Sequence, residues 1–373
     1  MHGILPAIAC NLDAGILSAS LPLWEEERVG AIEWSFDALH GLNALPEWFS
    51  ELLTAYSSQG RLIGHGIFFS LFSGRWSEGQ QRWLDQLRQV AARYPFDHVT
   101  EHFGFMTGKD FHQGAPLSIP YNRSTLAIGR DRLARICDAA GCPAGLENLA
   151  FSYALEEVKR HGEFLEQLVA PVNGFIILDL HNLYCQLHNF TVPFEQLIAL
   201  YPLERVREIH ISGGSWEPSD SGPEQRVRRD THDDAVPAAV FELLQNCIGL
   251  CPNLKYVVME QLGTALSGPE SQALFYRDFR QMETIVREHN QKGGSVPRHP
   301  FAPPALSIPT QVAEDEQLHR QQWELSRILE TAPDAASIMR ALQHSSLADS
   351  EWQVEQWAPY MIETARQIAQ KWT

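Results

Sequence analysis

The chain lacks the features that mark thiolate-metal, membrane and nucleic-acid-binding proteins. Its six cysteines form no CxxC pair, which argues against a zinc ribbon or a thioredoxin-type site. No run of about 18 apolar residues occurs, so we expect no membrane-spanning segment. Lysine and arginine number 29 against 46 aspartate and glutamate. The resulting net charge of −17 argues against a nucleic-acid partner.

The N-terminus, MHGILPAIACNLDAG, also lacks the cationic start of a secretory signal. The simplest interpretation of the six cysteines, which form no CxxC pair, is a set of reduced thiols in a cytoplasm. We therefore expect a cytoplasmic protein.

Short β-rich runs alternate with amphipathic stretches along the first 290 residues. The predicted strands are Leu5–Cys10, Gly30–Phe36, Leu62–Phe69, His98–Phe105, Ala144–Leu149, Phe175–Asn182, Val206–Ser212 and Tyr256–Gln261. The predicted helices are Pro46–Gln59, Glu78–Tyr94, Ser124–Ala140, Leu155–Leu168, Pro193–Tyr201, Ala235–Gly249 and Ser271–His289. Eight strands alternating with helices predict an α/β fold, a closed (β/α)8 TIM barrel. A doubly wound open sheet is the alternative, although no GxGxxG follows the first strand.

The composition changes after the last predicted barrel helix. We predict a barrel domain over 1–290, a Pro- and Gly-rich linker over 291–310 and an all-helical C-terminal extension over 311–373. Trp323, Trp352, Trp357 and Trp372 give this extension a high aromatic content. We expect them to pack the extension onto the barrel; the alternative is a docking module for a peptide or a partner protein.

Potential metal ligands lie near the ends of six successive predicted strands. They are His65, Glu101, His102, Glu147, Asn148, Asp179, His181, Asn182, His210 and Glu260, with Asp230 and His232 on the loop after the seventh strand. A barrel brings all its strand ends to one rim, so these side chains can converge. Carboxylate oxygens and imidazole nitrogens suit hard divalent or trivalent ions. The pattern predicts a metal site of more than one ion.

A single histidine in a strand is usually a hydrogen-bonded core residue, and a buried carboxylate is costly unless it is paired or metal-bound. The metal interpretation therefore depends on the joint pattern. Histidines in helices, loops and the extension are assigned structural roles: His40, His112, His161, His188, His289, His299, His319 and His344. We expect Ser212–Gly213–Gly214 to form an ordinary turn rather than an anion site.

Taken together, the strand-end motifs resemble a known family. IGHGIFF, TEHFGF, LENLAFSY, LDLHNLYC, REIHISGG, RDTHDDAVP and VVMEQL are similar to those of the multinuclear non-haem iron-dependent oxidases (MNIO) of the methanobactin-biosynthesis type. The resemblance covers roughly residues 5–265. It implies a xylose-isomerase-like TIM barrel with two or three irons of mixed Fe(II)/Fe(III) state and O₂ as co-substrate. It also implies modification of a residue, often cysteine, in a ribosomally made precursor peptide that a partner protein presents.

The resemblance further implies which side chains hold the irons. The matching positions are His65, His102, Glu147, Asp179, Asn182, His210, Asp230, His232 and Glu260. Glu147 and Glu260 would be shared carboxylates, while Asp230 and His232 would serve a third ion with Asn182. The family pattern has two consecutive asparagines where this chain has His181 and Asn182, so the sequence leaves open which of the two faces that ion.

Two other functions remain open. The same ligand order resembles endonuclease IV-type and xylose isomerase-like enzymes, which implies a zinc or manganese hydrolase or isomerase. Endonuclease IV-type enzymes have a histidine where this chain has Asn182, and an amide oxygen favours a harder ion such as iron. A third hypothesis is an inactive barrel whose helical extension binds a partner. The sequence assigns no catalytic residue beyond the metal ligands and no organic cofactor.

Overall fold

The fold is a barrel of eight parallel strands. A computed structural model describes residues 3–38, 45–106, 114–219, 222–293 and 299–371. The barrel strands are β1 Leu5–Ala9, β2 Ala31–Trp34, β3 Leu62–Gly66, β4 His98–His102, β5 Ala144–Glu147, β6 Phe175–Asp179, β7 Val206–Ile211 and β8 Tyr256–Met259. They pair in sequence order, and β1 also pairs with β8. The predicted (β/α)8 barrel is confirmed, and the open-sheet alternative is wrong because the first and last strands pair.

Helices cover the outside of the barrel. They are α1 Ala14–Glu25, α2 Glu47–Ser57, α3 Glu78–Arg93, α4 Arg123–Ala140, α5 Leu155–Val169, α6 Leu180–Asn189, α7 Phe194–Ile198, α8 Ala238–Cys247 and α9 Pro269–Gln291. Every helix predicted between the strands is present, whereas α1 and α6 were not predicted. Pro22 lies inside α1 and obscures its helical pattern. None of the helices in the described ranges is long and apolar enough to cross a membrane.

The sixth predicted strand ends earlier than its apolar run indicates. β6 stops at Asp179, whose side chain accepts the backbone N–H of Asn182 and caps α6. His181 and Asn182 therefore lie in the first turn of a helix and not in a strand, which corrects the prediction for Phe175–Asn182. Their side chains consequently point in different directions, since successive residues of a helix are turned by about 100°.

The interior of the barrel contains an apolar cluster and a group of polar side chains. Ala7, Ala31, Ile63, Tyr256 and Val258 form a buried cluster contributed by β1, β2, β3 and β8. The strands β4 and β7 place three fully buried polar side chains in the interior: His98, Glu208 and His210. Barrel interiors are usually filled by branched apolar side chains, so this polar group stands out.

Two short antiparallel ribbons extend the loops at the carboxyl end of the barrel. Phe105–Met106 pairs with Pro116–Leu117 after β4. Trp216–Ser219 pairs with Gly222–Arg228 after β7. The second ribbon leads directly into the loop that carries Asp230 and His232.

The C-terminal extension is helical, as predicted, and packs on the barrel. It contains α10 Glu316–Thr331, α11 Ala335–Gln343 and α12 Pro359–Gln370. The Trp357 ring stacks on Tyr153 with ring centroids 3.7 Å apart, and Trp352 is buried beside it. Trp323 is 64% exposed, so the expectation that it packs the extension onto the barrel is wrong. Trp372 lies outside the described residues.

Candidate metal centre

The predicted ligands converge at the carboxyl end of the barrel. They come from consecutive positions around the rim: His65 in β3, His102, Glu147 and Asp179 as the last residues of β4, β5 and β6, His210 in β7, and Glu260 directly after β8. Asn182 joins them from the first turn of α6, and Asp230 and His232 from the loop before α8. The short strands followed at once by polar residues create this arrangement.

Four groups of three side chains bring their ligand atoms within 4.8 Å of one another, and these groups overlap. They are His65–His102–Glu147, Glu33–His210–Glu260, Glu147–Asp179–His210 and Asp179–His232–Glu260. Glu147, Asp179, His210 and Glu260 each belong to two groups. Seven of the nine predicted ligands are included, and Glu33 is a member that the sequence analysis did not identify. The two remaining residues, Asn182 and Asp230, lie beside these groups.

The atoms that point into the cluster are buried and have no hydrogen-bond partner. They include the oxygens Glu147 Oε2, Asp179 Oδ2 and Asn182 Oδ1. An unsatisfied buried polar atom costs about 1–3 kcal/mol, and native structures contain few of them. Lone pairs that converge without donors are what metal ions satisfy. The donor set is entirely nitrogen and oxygen and therefore fits hard or borderline ions.

His65 and His102 face Glu147. Thr100 donates its hydroxyl to the Gly64 carbonyl, so its oxygen accepts the Nδ1–H of His65 over 2.8 Å. The free nitrogen of His65 is then Nε2, which lies 3.6 Å from Glu147 Oε2. Nε2 of His102 lies 3.4 Å from the same oxygen. These spacings are those of three ligands around one ion, given metal–ligand distances of about 2.0–2.2 Å.

Asn182 and His181 have different surroundings. Asn182 donates its Nδ2–H to Glu147 Oε1 over 3.0 Å and to the Asn148 carbonyl, which leaves Oδ1 free. Arg228 donates Nε–H to Nε2 of His181 over 3.0 Å, so the His181 proton lies on Nδ1, 3.2 Å from Asp230 Oδ1. Both nitrogens of His181 are therefore engaged, whereas Asn182 keeps a free oxygen.

Asn148 fixes the end of β6. Its Oδ1 accepts the backbone N–H of Asp179 over 2.6 Å, and its Nδ2 donates to the Asp179 carbonyl over 3.1 Å. These two hydrogen bonds hold the Asp179 backbone, while Oδ1 of the Asp179 side chain caps α6. Asn148 is thus occupied by support contacts, and Asp179 Oδ2 remains free.

The second half of the cluster surrounds His210 and His232. Nδ1 of His210 lies 3.1 Å from Glu260 Oε2, and Nε2 of His232 lies 2.8 Å from Asp230 Oδ1 and 3.9 Å from the same Glu260 oxygen. Glu33 Oε2 lies 3.2 Å from the other nitrogen of His210, Nε2. A carboxylate in the middle of the apolar run AIEW was the available signal for Glu33.

Burial and charge shift the pKa values of this cluster in opposite directions. Burial raises the pKa of Glu147 well above its usual value, that of Asp179 to about 7 and that of Glu33 to about 8. Burial opposes the charged form of His210, but Glu260, Glu33 and Glu208 together outweigh it and raise its pKa well above its usual value. The cluster thus combines carboxyl groups whose pKa values are raised by burial with a histidine whose pKa is raised by the carboxylates around it.

The outer histidine shows the same balance. Burial opposes the charged form of His232, yet Asp230 and Glu260 raise its pKa well above its usual value. Conversely, burial would raise the pKa of Asp230, but His232 and His181 lower it well below its usual value. A cation placed among these groups would replace the protons that now balance their charges.

The loop that carries Asp230 and His232 is held by close backbone contact. A Cβ on Gly214 would lie 2.2 Å from the Arg229 carbonyl oxygen and 2.7 Å from Cε1 of His181. Only glycine permits this approach. His232 has φ +52°, a left-handed conformation that a non-glycine residue rarely adopts. The expectation of an ordinary turn after His210 omitted this packing role.

The other histidines do not join the cluster. His161 accepts the backbone N–H of Leu149 on its Nε2 and is buried. None of His188, His289, His299, His319 or His344 belongs to the groups found among the described residues. His40 and His112 lie outside those residues.

Comparison with known proteins places the chain in a family. The model of the RiPP precursor modification enzymes MbnB/TglH/ChrH matches residues 40–261. A UPF0276 protein of Acaryochloris marina is 30% identical over 189 residues, which are 49% of this chain and 64% of that protein. A UPF0276 protein of Anaeromyxobacter sp. is 31% identical over 186 residues, 49% of this chain and 62% of that protein. The match thus spans less than two thirds of the length of these relatives.

Among solved structures, the endonuclease IV of Thermus thermophilus has a TM-score of 0.47 and 17% identity, over 76% of this chain and 99% of that one. An L-ribulose 3-epimerase has a TM-score of 0.48 and 14% identity, over 79% and 97%. Both are likenesses of fold, which the pairing of the eight strands shows independently. The family match covers more than half of the chain and confirms the resemblance carried by the strand-end motifs: the protein belongs to the MbnB/TglH/ChrH family of RiPP precursor modification enzymes.

Proposed function

We propose that this protein is a multinuclear non-haem iron oxidase that uses O₂ to modify a residue, cysteine, of a ribosomally synthesised precursor peptide. The observation that carries the proposal is the overlap of the four ligand groups. A single ion takes about four to six ligands, and sharing of Glu147, Asp179, His210 and Glu260 between groups is what bridged ions need. The ions would be two or three irons of mixed Fe(II)/Fe(III) state.

We assign three sets of ligands, of which the first two share Glu147. His65, His102 and Glu147 form the first set. Glu147, Asp179, His210 and Glu260 form the second. Asp230, His232 and Asn182 form the third, in which Asn182 rather than His181 is the ligand because its Oδ1 is buried without a partner. An amide oxygen in place of an imidazole supports a harder ion in this set.

Bound iron would supply one-electron chemistry with O₂, and the protein supplies geometry and charge. Thr100 directs Nε2 of His65 toward Glu147. Asn182 holds one oxygen of Glu147 and leaves the other for ions. His181 holds Asp230, and Arg228 fixes the orientation of His181. The exposed Leu262, two residues after Glu260, offers an apolar contact for peptide at the rim.

The test is reconstitution with Fe(II) under anaerobic conditions, followed by metal analysis and by O₂ uptake with a cysteine-containing peptide encoded beside the gene. We expect at least two irons per chain and O₂ uptake that requires the peptide. A partner protein that presents the peptide belongs to the proposal, so it is added where a neighbouring gene encodes one. Fewer than two irons, or no uptake with peptide and partner present, contradicts the proposal.

The same preparation separates the alternatives. Turnover that survives strict anaerobiosis with zinc or manganese identifies a hydrolase or isomerase. The third alternative, a binding protein, predicts two results. The parent turns over no substrate, and a Glu147→Ala/His210→Ala double variant binds a partner as well as the parent does.

A further inference from the structure

Below the candidate centre, a chain of buried polar side chains crosses the barrel interior. It runs from Arg207 through His98 and Glu208 to His210 and uses residues of β4 and β7. Glu208 and His98 have no exposed surface, and Arg207 is 6% exposed. None of the three is a predicted ligand, and neither Glu208 nor His98 belongs to a ligand group.

The first contact lies at His98. Its Nδ1 is 3.1 Å from Arg207 Nε and 3.0 Å from Asp97 Oδ2, so it faces both a donor and an acceptor. Its Nε2 lies 2.6 Å from Oε2 of Glu208. A carboxylate oxygen can only accept, so the Nε2 proton of His98 is donated to Glu208. Arg207 is itself held by Asp97, which accepts from it over 2.8 Å.

The second contact concerns the other oxygen of Glu208. Oε1 lies 3.4 Å from Nε2 of His210 and has no hydrogen-bond partner. Glu33 Oε2, also without a partner, lies 3.2 Å from the same nitrogen. Nε2 of His210 forms no hydrogen bond with either oxygen at these positions, and a proton on that nitrogen is what would pair with them. Nδ1, which faces Glu260 at 3.1 Å, is then the nitrogen available to an ion.

We propose that His98 holds the Glu208 carboxylate beside Nε2 of His210 and thereby sets the tautomer of His210, so that His210 presents Nδ1 to the ion it shares with Glu260. Glu208 and His98 are positioning residues, and Glu33 is the second acceptor for Nε2–H. The inference rests on the proposed function only in taking His210 as a metal ligand. Partners that orient a ligating histidine commonly change metal affinity about 10- to 100-fold when they are removed.

The energetic setting supports a functional reason for this chain. Charged side chains inside a barrel lose their hydration, and apolar side chains of similar volume are often at least as stabilising. A purely structural role would be served as well by the Val, Ile and Leu side chains that fill most barrels. A tautomer-setting chain, in contrast, needs an acceptor next to His210 and a donor beyond it.

The test uses Co(II), whose visible absorption reports ligand geometry whichever ion is native. Parent, Glu208→Gln and His98→Gln proteins are titrated with Co(II), and the number of ions, their affinities and the absorption spectrum are measured. We expect both variants to bind one ion about 10- to 100-fold more weakly, with a changed spectrum. Glu363→Gln, a buried carboxylate bonded to Arg366 in the extension, is the matched control and should behave like the parent.

The double variant sharpens the result. Because both changes break one chain, Glu208→Gln/His98→Gln should weaken binding no more than the stronger single change. Parent-like spectrum and affinity in both single variants overturn the positioning role and leave the proposed function standing. A parent that binds fewer than two Co(II) ions overturns the proposed function and the positioning role with it. If Glu208→Gln does not fold, His98→Gln alone decides.

Discussion

Asn182 donates its side-chain N–H to Oε1 of Glu147 over 3.0 Å, and its own Oδ1 is left buried without a partner. The neighbouring His181 has both nitrogens engaged by Arg228 and Asp230. Two adjacent residues therefore differ: Asn182 keeps a free side-chain oxygen, whereas His181 is bonded to Asp230 and Arg228.

Asn182→Ala should remove one ion of the cluster, the one held with Asp230 and His232. His181→Ala should still bind that ion, but with an affinity about 10- to 100-fold lower, because Asp230 loses its hydrogen-bond partner. Metal content after dialysis at graded chelator strength distinguishes the two. Retention of every ion by Asn182→Ala with loss in His181→Ala would reverse our assignment.

Glu147→Ala should lose more than one ion, because the carboxylate belongs to two ligand groups. His232→Ala should lose a single ion, since this histidine belongs to one group. Metal analysis of both variants after identical reconstitution measures the difference. Equal losses would contradict the division of ligands that we propose.

Metal affinity should rise with pH. The pKa values of His210 and His232 are raised, so both histidines favour the doubly protonated form, and an ion must displace one proton from each. At pH values below the raised pKa, each proton that the ion displaces makes the metal affinity rise by up to about tenfold for every unit increase in pH. Competition titrations between roughly pH 6 and pH 8 measure the slope. A slope near zero would show that these histidines are not displaced by metal.

Trp357→Ala should destabilise the protein by about 3–5 kcal/mol, because the buried ring stacks on Tyr153 and leaves a cavity when removed. Trp323→Ala, at a side chain that is 64% exposed, is the control and should change stability by no more than about 0.5 kcal/mol. Urea unfolding followed by circular dichroism measures both. Similar effects of the two substitutions would mean that the extension is not held as described.

Gly214→Ala should displace the loop of Asp230 and His232, since the added methyl group would meet the Arg229 carbonyl and the His181 ring. We expect loss of one ion with the rest of the cluster retained. At Gly249, an added Cβ would meet only His289 at 3.9 Å, so Gly249→Ala should bind metal as the parent does. An unchanged metal content in Gly214→Ala would show that the loop adapts.

The sequence predicted the barrel because eight apolar runs alternate with amphipathic stretches. Glu147 and Asp179 were identified because each is the first charged residue after such a run. Glu33 and Glu208 were not, because each lies inside a strand and its importance depends on which residue faces it across the barrel. Such facing pairs are set by strand stagger, which an apolar pattern does not encode.

The choice between His181 and Asn182 also required the structure. The apolar run FIILDLHNL crosses from strand to helix without a break, so the boundary at Asp179 is set by a capping hydrogen bond rather than by composition. Moving the boundary by one residue turns a helical side chain by about 100°. Such a shift would change which of the two neighbouring residues, His181 or Asn182, faces the ligand cluster.

The order of the donors around the rim follows the order of translation. His65 is made first and Glu260 last, and Glu260 follows the strand that pairs with β1 to close the barrel. A nascent chain still attached to the ribosome before β8 has emerged lacks both this carboxylate and the closed rim. Any ion that needs the complete cluster would therefore be bound only after the whole barrel has been synthesised.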